Sequence, residues 1–425
     1  MYKLKAKIGD LCQPTRQRDP RHNPEDSFFY IDISTVDKDN KCITSPSELL
    51  GEEAPSRARK EVKADDILVS TVRPNLNAVA QVPQELDGEI ASTGFCVLRP
   101  DQKQINHRYL FYWTLTSDFI DHLVSNVRGA NYPAVTDNIV KETLIPLPPL
   151  SEQRRIVELL DQADALRKKR AEADAKAQRI LPALFIKMFG DPVTNPKGWD
   201  VIPVKSFAKV QGGLQVTSKR KENPISVPYL RVANVYRDSL NLSEIKDIRV
   251  TESELKRVTL KKGDILIVEG HGNRNEIGRS AIWDGSIDPC VHQNHLIRVR
   301  TDRTKAEPTY ISAYLNSSGG REQLFRLGKT TSGLNTISTS NVKETSVILP
   351  PVDKQEKYVQ HVRDFKELEA KSSKQTEHIE TLFQTLLHRA FSGDLTAEWR
   401  KAHMAELLQE MEHQARVLGL KGGVE

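Results

Sequence analysis

One stretch of this chain is used twice, and that repeat limits the fold more than any other feature. Val140-Lys141-Glu142-Thr143 returns as Val342-Lys343-Glu344-Thr345, an offset of 202. The same offset carries Leu147-Pro148-Pro149 onto Leu349-Pro350-Pro351 and Gln153 onto Gln355. Eight of the fourteen positions from Val140 to Gln153 are identical without a gap. Upstream, Asp66-Ile67-Leu68-Val69 matches Asp264-Ile265-Leu266-Ile267 and Tyr109-Leu110 matches Tyr310-Ile311, at offsets of 198 and 201. Downstream, Phe189-Gly190-Asp191 matches Phe391-Ser392-Gly393-Asp394, and Trp199 and Trp399 close the copies. Solenoid repeats are about 20–45 residues long, so a period this long means duplicated domains. The 425 residues are close to two such units.

Each copy ends in a helix. Neither 151–181 nor 352–391 holds Gly or Pro, and both are rich in good helix formers. Ser151 and Asp353 sit where N-caps are expected, just past the prolines. Steps of 3 and 4 from Ile156 give Leu159, Ala163, Leu166, Arg170, Ala173, Ala177, Ile180 and Leu184. In the second copy they give Tyr358, His361, Phe365, Leu368, Ser372, Gln375, Ile379, Leu382 and Leu386. This 3.5-residue period predicts a coiled-coil pair related by a pseudo-two-fold, interrupted at Arg170, Ser372 and Gln375. Pro182 is expected to kink the first helix. About 38 helical residues make a rod on the order of 55 Å, long enough to space two globular blocks.

The blocks mix strand and helix signals. Runs such as Ile67-Leu68-Val69-Ser70, Phe95-Cys96-Val97-Leu98, Ile265-Leu266-Ile267-Val268 and Leu296-Ile297-Arg298-Val299 read as strands between Asp-Gly and Gly-Asp turns. Segments 107–125 and 308–326 read as helices, so each block is α+β. Trp113, Trp283 and Tyr236 are read as core residues, with stacking platforms for bases as the alternative. Leu407-Leu408, Met411 and Ala415 fit a short amphipathic C-terminal helix, either capping the coiled coil or touching a partner.

Composition removes several classes. The N-terminus, Met1 to Lys7, is basic without a signal peptide's apolar stretch, and no apolar run nears the ~20 residues of a membrane helix, so a cytoplasmic location is expected. Cys12, Cys42, Cys96 and Cys290 lack disulfide or zinc spacing. Gly328-Lys329-Thr330 ends like a phosphate loop, but Gln323 stands where its first glycine belongs. Gly270-His271-Gly272 lacks the third glycine of a dinucleotide fingerprint, at Asn275. His292-Gln293-Asn294-His295 suggests an HNH-type nuclease only faintly, and Glu369-Ala370-Lys371 lies mid-helix. No catalytic set or metal site assembles. Net charge is +5, yet its parts differ: −3 over 1–146, +2 over 147–191, +8 over 192–349 and −2 over 350–425.

Leu147-Pro148-Pro149-Leu150-Ser151-Glu152-Gln153-Arg154-Arg155-Ile156-Val157 is similar to the conserved signature of type I restriction–modification specificity (S) subunits. Ala390-Phe391-Ser392-Gly393-Asp394-Leu395-Thr396-Ala397-Glu398-Trp399-Arg400 resembles that family's distal signature. The second copy departs from it, with Asp353-Lys354 in place of Ser-Glu. The resemblance implies two α+β target recognition domains joined by two long antiparallel helices as a coiled coil. It implies a first recognition domain at 1–147, a spacer helix at 148–190 and a second recognition domain at 191–349. A second spacer helix with the distal signature follows at 350–400, then a helical extension at 401–425. It further implies a non-catalytic subunit that reads a bipartite double-stranded DNA site, one half-site per domain. Two modification (methyltransferase) subunits and the restriction (translocase/nuclease) subunits are the implied partners. S-adenosylmethionine, ATP and Mg are expected on those partners, with no cofactor here. A coiled-coil adaptor without DNA readout is the rival reading.

Base edges are read by Arg, Lys, Asn, Gln, Ser and Thr, and phosphates by basic or small polar donors. In the first block the candidates are Arg73, Asn75 and Asn77 in one loop and Arg128, Asn131 and Tyr132 in another. In the second they are His271, Asn273, Arg274 and Asn275, with Lys329, Thr330, Thr331 and Asn335. Lys219, Arg220 and Lys221 are candidates for phosphate contact. The two sets occupy corresponding places on a common frame and differ in sequence, as two different half-sites require.

Overall fold

The computed structural model describes residues 4–129, 133–273, 276–327, 329–331 and 334–417. The chain divides into two compact units, one of residues 1–172 and 374–425 and one of residues 173–373. In the first unit, Cys12–Gln13, Phe95–Pro100, Ile67–Ser70 and Val79–Gln81 lie in that order in one antiparallel sheet. A second sheet runs Ser47–Leu50, Ser27–Ile31, Ile90–Ser92, Ala58–Glu61, with Ile90–Ser92 parallel to Ser27–Ile31. The other unit repeats the plan. Its sheets are Ala208–Gly212, Leu296–Thr301, Ile265–Val268, Ser280–Ile282 and Lys246–Val250, Ile225–Leu230, Val291–His292, the last pair again parallel. A ribbon, Gly270–His271, Leu334–Thr336, Lys329–Thr331, corresponds to the shorter bridges of Ala134 with Val72 and Arg128 in the first unit.

The unbroken apolar runs follow from two-sided burial. Ile67 and Val69 face one core while Leu68 faces another; Ile265 and Ile267 against Leu266 and Val268 do the same. The first core takes Ile156 and Leu160 from the helix Leu150–Ala177, and Phe383, Leu387 and Phe391 from the helix Val352–Ser392. The second takes Phe185 and Phe189 from Ile180–Phe189, and Tyr358 and Val362 from the start of Val352–Ser392. Within each unit the helices run antiparallel. Arg167 Nε donates to Glu380 at 2.8 Å in one, and Ser372 Oγ to Asp174 at 3.4 Å in the other. Pro182 acts as expected: the first helix stops at Ala177 and a new one begins at Ile180, because proline cannot take a partner at Gln178.

The duplicated residues turn out to be staples. Gln153 is fully buried; its Oε1 accepts the Asn106 amide at 2.9 Å and its Nε2 donates to Pro148 O at 2.8 Å. Gln355 repeats this with the Glu307 amide at 2.8 Å and Pro350 O at 2.7 Å. Tyr109 Oη donates to Pro146 O at 2.9 Å and Tyr310 Oη to Ile348 O at 2.6 Å. Glu142 pairs with Lys7 and Glu344 with Lys205. Buried Asp66 takes two parallel bonds from Arg99, as buried Asp264 does from Arg300. The glutamine, tyrosine and aspartate staples relieve polar atoms that burial makes costly to leave unpaired, whereas the two Glu–Lys pairs lie at the surface.

Several expectations are corrected. The helices begin at Leu150 and Val352, so Ser151 and Asp353 lie inside the first turn and are not N-caps. Ser151 instead donates its amide and hydroxyl to Glu410 at 3.2 and 2.9 Å. Glu410 belongs to the C-terminal helix Met404–Val417, which folds onto the first unit and places an anion at the positive end of the long helix. In the second copy Asp353 supplies that acid itself, which gives the departure from Ser-Glu a physical reason. Glu152, buried, accepts from Thr396 at 2.5 Å and Arg400 at 2.8 Å, whereas its counterpart Lys354 is exposed. The seam keeps its 3.5 period but steps 4 then 3: Ile156, Leu160, Ala163, Arg167, Arg170, Asp174 and Ala177. Leu166, Leu368 and Leu382 are accordingly 50 %, 64 % and 47 % exposed. Tyr236, assigned to the core, is 45 % exposed with the Arg279 guanidinium 5.1 Å from its ring centroid, while Trp113 and Trp283 are buried.

Candidate nucleic-acid interface

In the first unit, strand Ile67–Ser70 runs out into a tight turn, Pro74–Leu76. Its flanking residues Arg73 (φ 50°) and Asn77 (φ 45°) are both left-handed. That conformation is uncommon for a residue with a side chain, above all one as long as arginine. The turn is held from outside: Arg73 N donates to Pro133 O at 2.8 Å, Val135 N to Thr71 O at 2.9 Å, and Lys41 Nζ to Asn77 O at 2.6 Å. Arg128 N donates to Ala134 O at 3.0 Å, and Ala134 bridges Val72 as well. The two candidate loops are thereby brought together at one end of the strand. Arg73, Asn75 and Arg128 are exposed, Asn77 is half-buried, and Asn131 and Tyr132 lie outside the described residues. Sequence reasoning missed Lys41. Burial lowers its ammonium to about 8, and the sequence signal was a cation just after the Asp37–Asn40 turn.

The second unit builds the same end with longer pairing. Gly270 pairs with Thr336 and His271 with Asn335, while Thr330 also faces Asn335. The ribbon is tied to the central strand by Ile337 N to Glu269 O at 2.8 Å and Glu269 N to His295 O at 3.0 Å. His295 Nδ1 lies 3.1 Å from the Glu269 carboxylate, a polar pair sequence reasoning passed over. The Asn273 amide donates to His271 Nδ1 at 3.0 Å, which fixes the imidazole edge. Arg274 and Asn275 lie outside the described residues, as do the side chains of Lys329, Thr330, Thr331 and Asn335. Lys219, Arg220 and Lys221 form a short turn, Ser218–Glu222. Arg220 is committed to its own domain, bidentate to Glu254 at 2.9 and 3.0 Å, and holds that carboxyl below the usual range. Lys219 and Lys221 are exposed.

The faint nuclease reading loses its histidine. His292 is fully buried, its Nδ1 3.0 Å from Leu296 O, and burial pulls the imidazole down to about 4. A carbonyl can only accept, so Nδ1 carries the proton and the ring is neutral, away from any substrate. Burial also pushes the Cys12, Cys96 and Cys290 thiols up to about 12, far from nucleophilic. No helix among the described residues is long and apolar enough to cross a membrane.

Two units of one plan, each bringing a pair of unlike loops to the end of a buried strand, form the framework of a recognition protein. The family model for the type I restriction modification DNA specificity domain matches residues 4–174 and 196–381. The chain belongs to that family. It is 28 % identical over 365 residues to the type I restriction enzyme EcoKI specificity subunit of Escherichia coli K12, covering 80 % of this chain and 77 % of that one. It is 24 % identical over 388 residues to the StySPI specificity subunit of Salmonella potsdam, covering 85 % and 83 %. Among solved structures, a chain from work on complex assembly and conformational transition of the type I R-M system aligns at a TM-score of 0.61. It is 28 % identical, over 92 % of this chain and 98 % of its own.

Proposed function

We propose that this chain is the specificity subunit of a type I restriction–modification complex, reading a bipartite duplex site with one half-site per unit. The observation that carries this reading is the placement of the loops. In each unit two loops of differing sequence converge at the same end of an equivalent strand, Arg73–Asn77 with Arg128 in one and His271 with Asn335 in the other. A constant frame with variable ends is what two unlike half-sites need. Arg73 and Arg128 have the donor geometry for guanine edges or phosphates, and Asn75 and Asn273 that for adenine.

The specificity family supplies target choice, so methyl transfer and cleavage fall to two modification subunits and to restriction subunits. S-adenosylmethionine, ATP and Mg are bound there, in the cytoplasm where the complex meets DNA. The long helices then set the number of base pairs between half-sites. Mapping methylated adenines in cells with and without this gene tests the reading. A split motif that appears only with the gene supports it. Methylation unchanged by the gene, although the modification subunits are active, contradicts it.

A further inference from the structure

The positive excess of the second block lies partly where the reading loops do not account for it. At the opposite end of strand Ile265–Val268 from His271, the turn 261–264 and the segment 300–303 enclose a concavity of about 470 Å³. Lys261, Lys262 and Arg303 are exposed around it. Its one lining carboxylate, Asp264, is fully engaged. Oδ1 accepts from Arg300 Nε at 2.6 Å, and Oδ2 accepts from Arg300 Nη2 at 2.6 Å and from the Lys261 amide at 2.8 Å. Asp264 and Arg300 thus neutralise each other, and among the described residues no ion pair engages the other three cations.

The turn is built to hold this arrangement. Gly263 is left-handed (φ 95°), and a side chain there would run into the Arg303 guanidinium, which lies across it with Nη2 3.5 Å from Lys262 O. Lys209, exposed, faces Arg300 in register on the neighbouring strand, so positive charge continues onto that strand. Arg298, two residues along, is buried and committed to Thr259 O and Gln211.

The fold does not require these cations. In the first unit the Asp66–Arg99 pair is kept, but Ala64, Asp65 and Gln102 stand where Lys262, Gly263 and Arg303 are. Asp65 there accepts from Gln81 at 2.7 Å and lies 3.7 Å from His107. Two of the three differences add a cation and one removes a carboxylate, so each raises the net charge of the second copy by one.

We infer that this concavity is a phosphate site for the DNA backbone, separate from the base-reading loops and particular to the second unit. The inference rests on the DNA-recognition reading above. From Asp264 to Glu269 the chain spans roughly 17 Å, so the cations lie about that far from the root of the loops. A duplex lying along the unit, with a phosphate every ~3.4 Å on each strand, presents phosphates about five nucleotides from the read bases to Lys261, Lys262 and Arg303. Lysine serves such a row as a point charge and arginine as a two-pronged donor.

The test replaces two of the three exposed cations by their first-copy counterparts, Lys262→Ala with Arg303→Gln, in the full chain assembled with its modification subunits. Affinity for a duplex carrying the mapped target is measured from 50 to 200 mM salt, with thermal melting to show that the variant folds. Loss of two phosphate contacts lowers the salt slope by about 2, so the variant loses about twelvefold less affinity than the parent over that range. The methylated motif stays the same. An unchanged slope overturns the inference, and if modification-subunit binding weakens instead, the face is a protein-docking surface. A parent complex with no preference for its target duplex defeats the DNA-recognition reading itself, and this inference with it.

Discussion

Replacing Gln355 by Met tests whether the duplicated Pro-Pro…Gln signature is a structural staple or a contact surface. The substitution keeps the volume of a fully buried side chain and removes every polar atom from it. Three partners are then left without it: the Glu307 amide at 2.8 Å, Pro350 O at 2.7 Å and Lys305 O at 3.2 Å. Each lost bond costs about 1 kcal/mol, and an orphaned buried amide about 1–3 kcal/mol. The expected loss is therefore on the order of 3 kcal/mol, a large share of a domain's usual stability. Urea unfolding followed by tryptophan emission is the assay, since Trp199 and Trp283 both lie in the second unit. Gln153→Met should cost about as much in the first unit, where the Asn106 amide and Pro148 O lose their partner. A loss below about 1 kcal/mol, with weakened binding of a partner subunit, would show that the glutamine faces a partner and refute the staple.

Three further outcomes follow from the same structure. Arg400→Ala leaves the buried Glu152 carboxylate without its cation, so the first unit should lose about 3 kcal/mol, with Glu152→Gln restoring part of it; thermal melting of the single and double variants checks this. His292 is held neutral, well below the 6.5 of a free histidine. Below pH about 6.5 the unfolded chain takes up a proton that the folded chain refuses, so stability should fall as pH drops from about 6.5 to about 4, then level off. The loss is on the order of 3 kcal/mol. Acid unfolding of His292→Gln should lack that part of the slope. Deleting one heptad from 163–177 together with the facing heptad of 369–383 should shorten the spacer of the methylated motif with both half-sites kept; an unchanged spacer would refute the role given to the helices.

The repeat made the architecture legible because the copied residues are the ones whose chemistry the frame needs twice. Gln153, Tyr109 and Asp66 are buried and each has a twin with the same partner type, and even the exposed Glu142 keeps a lysine partner in both copies. The Leu-rich seam was legible in period but not in phase. Leu159 and Leu160, like Leu166 and Arg167, are adjacent, and a 3.5-residue repeat fits either choice until the partner helix is seen. The first helix start was misplaced because Glu410, about 260 residues away, supplies the acceptor that the Ser151 hydroxyl was expected to supply. Tyr236 was assigned to the core on its bulk, whereas Arg279 holds its ring at the surface. The loops could be located from turn residues and strand ends. Which of their side chains are free for DNA could not, as Arg220 shows: Glu254 binds it, and the residues 34 positions apart carry no local sign of pairing.

The central claim is that each unit reads its own half-site. Exchanging residues 1–147 for the corresponding block of a relative with a different target, then mapping methylated adenines across the genome, tests it most directly. The account predicts that one half of the split motif changes while the other half stays as it was. A motif altered in both halves, or in neither, would contradict it.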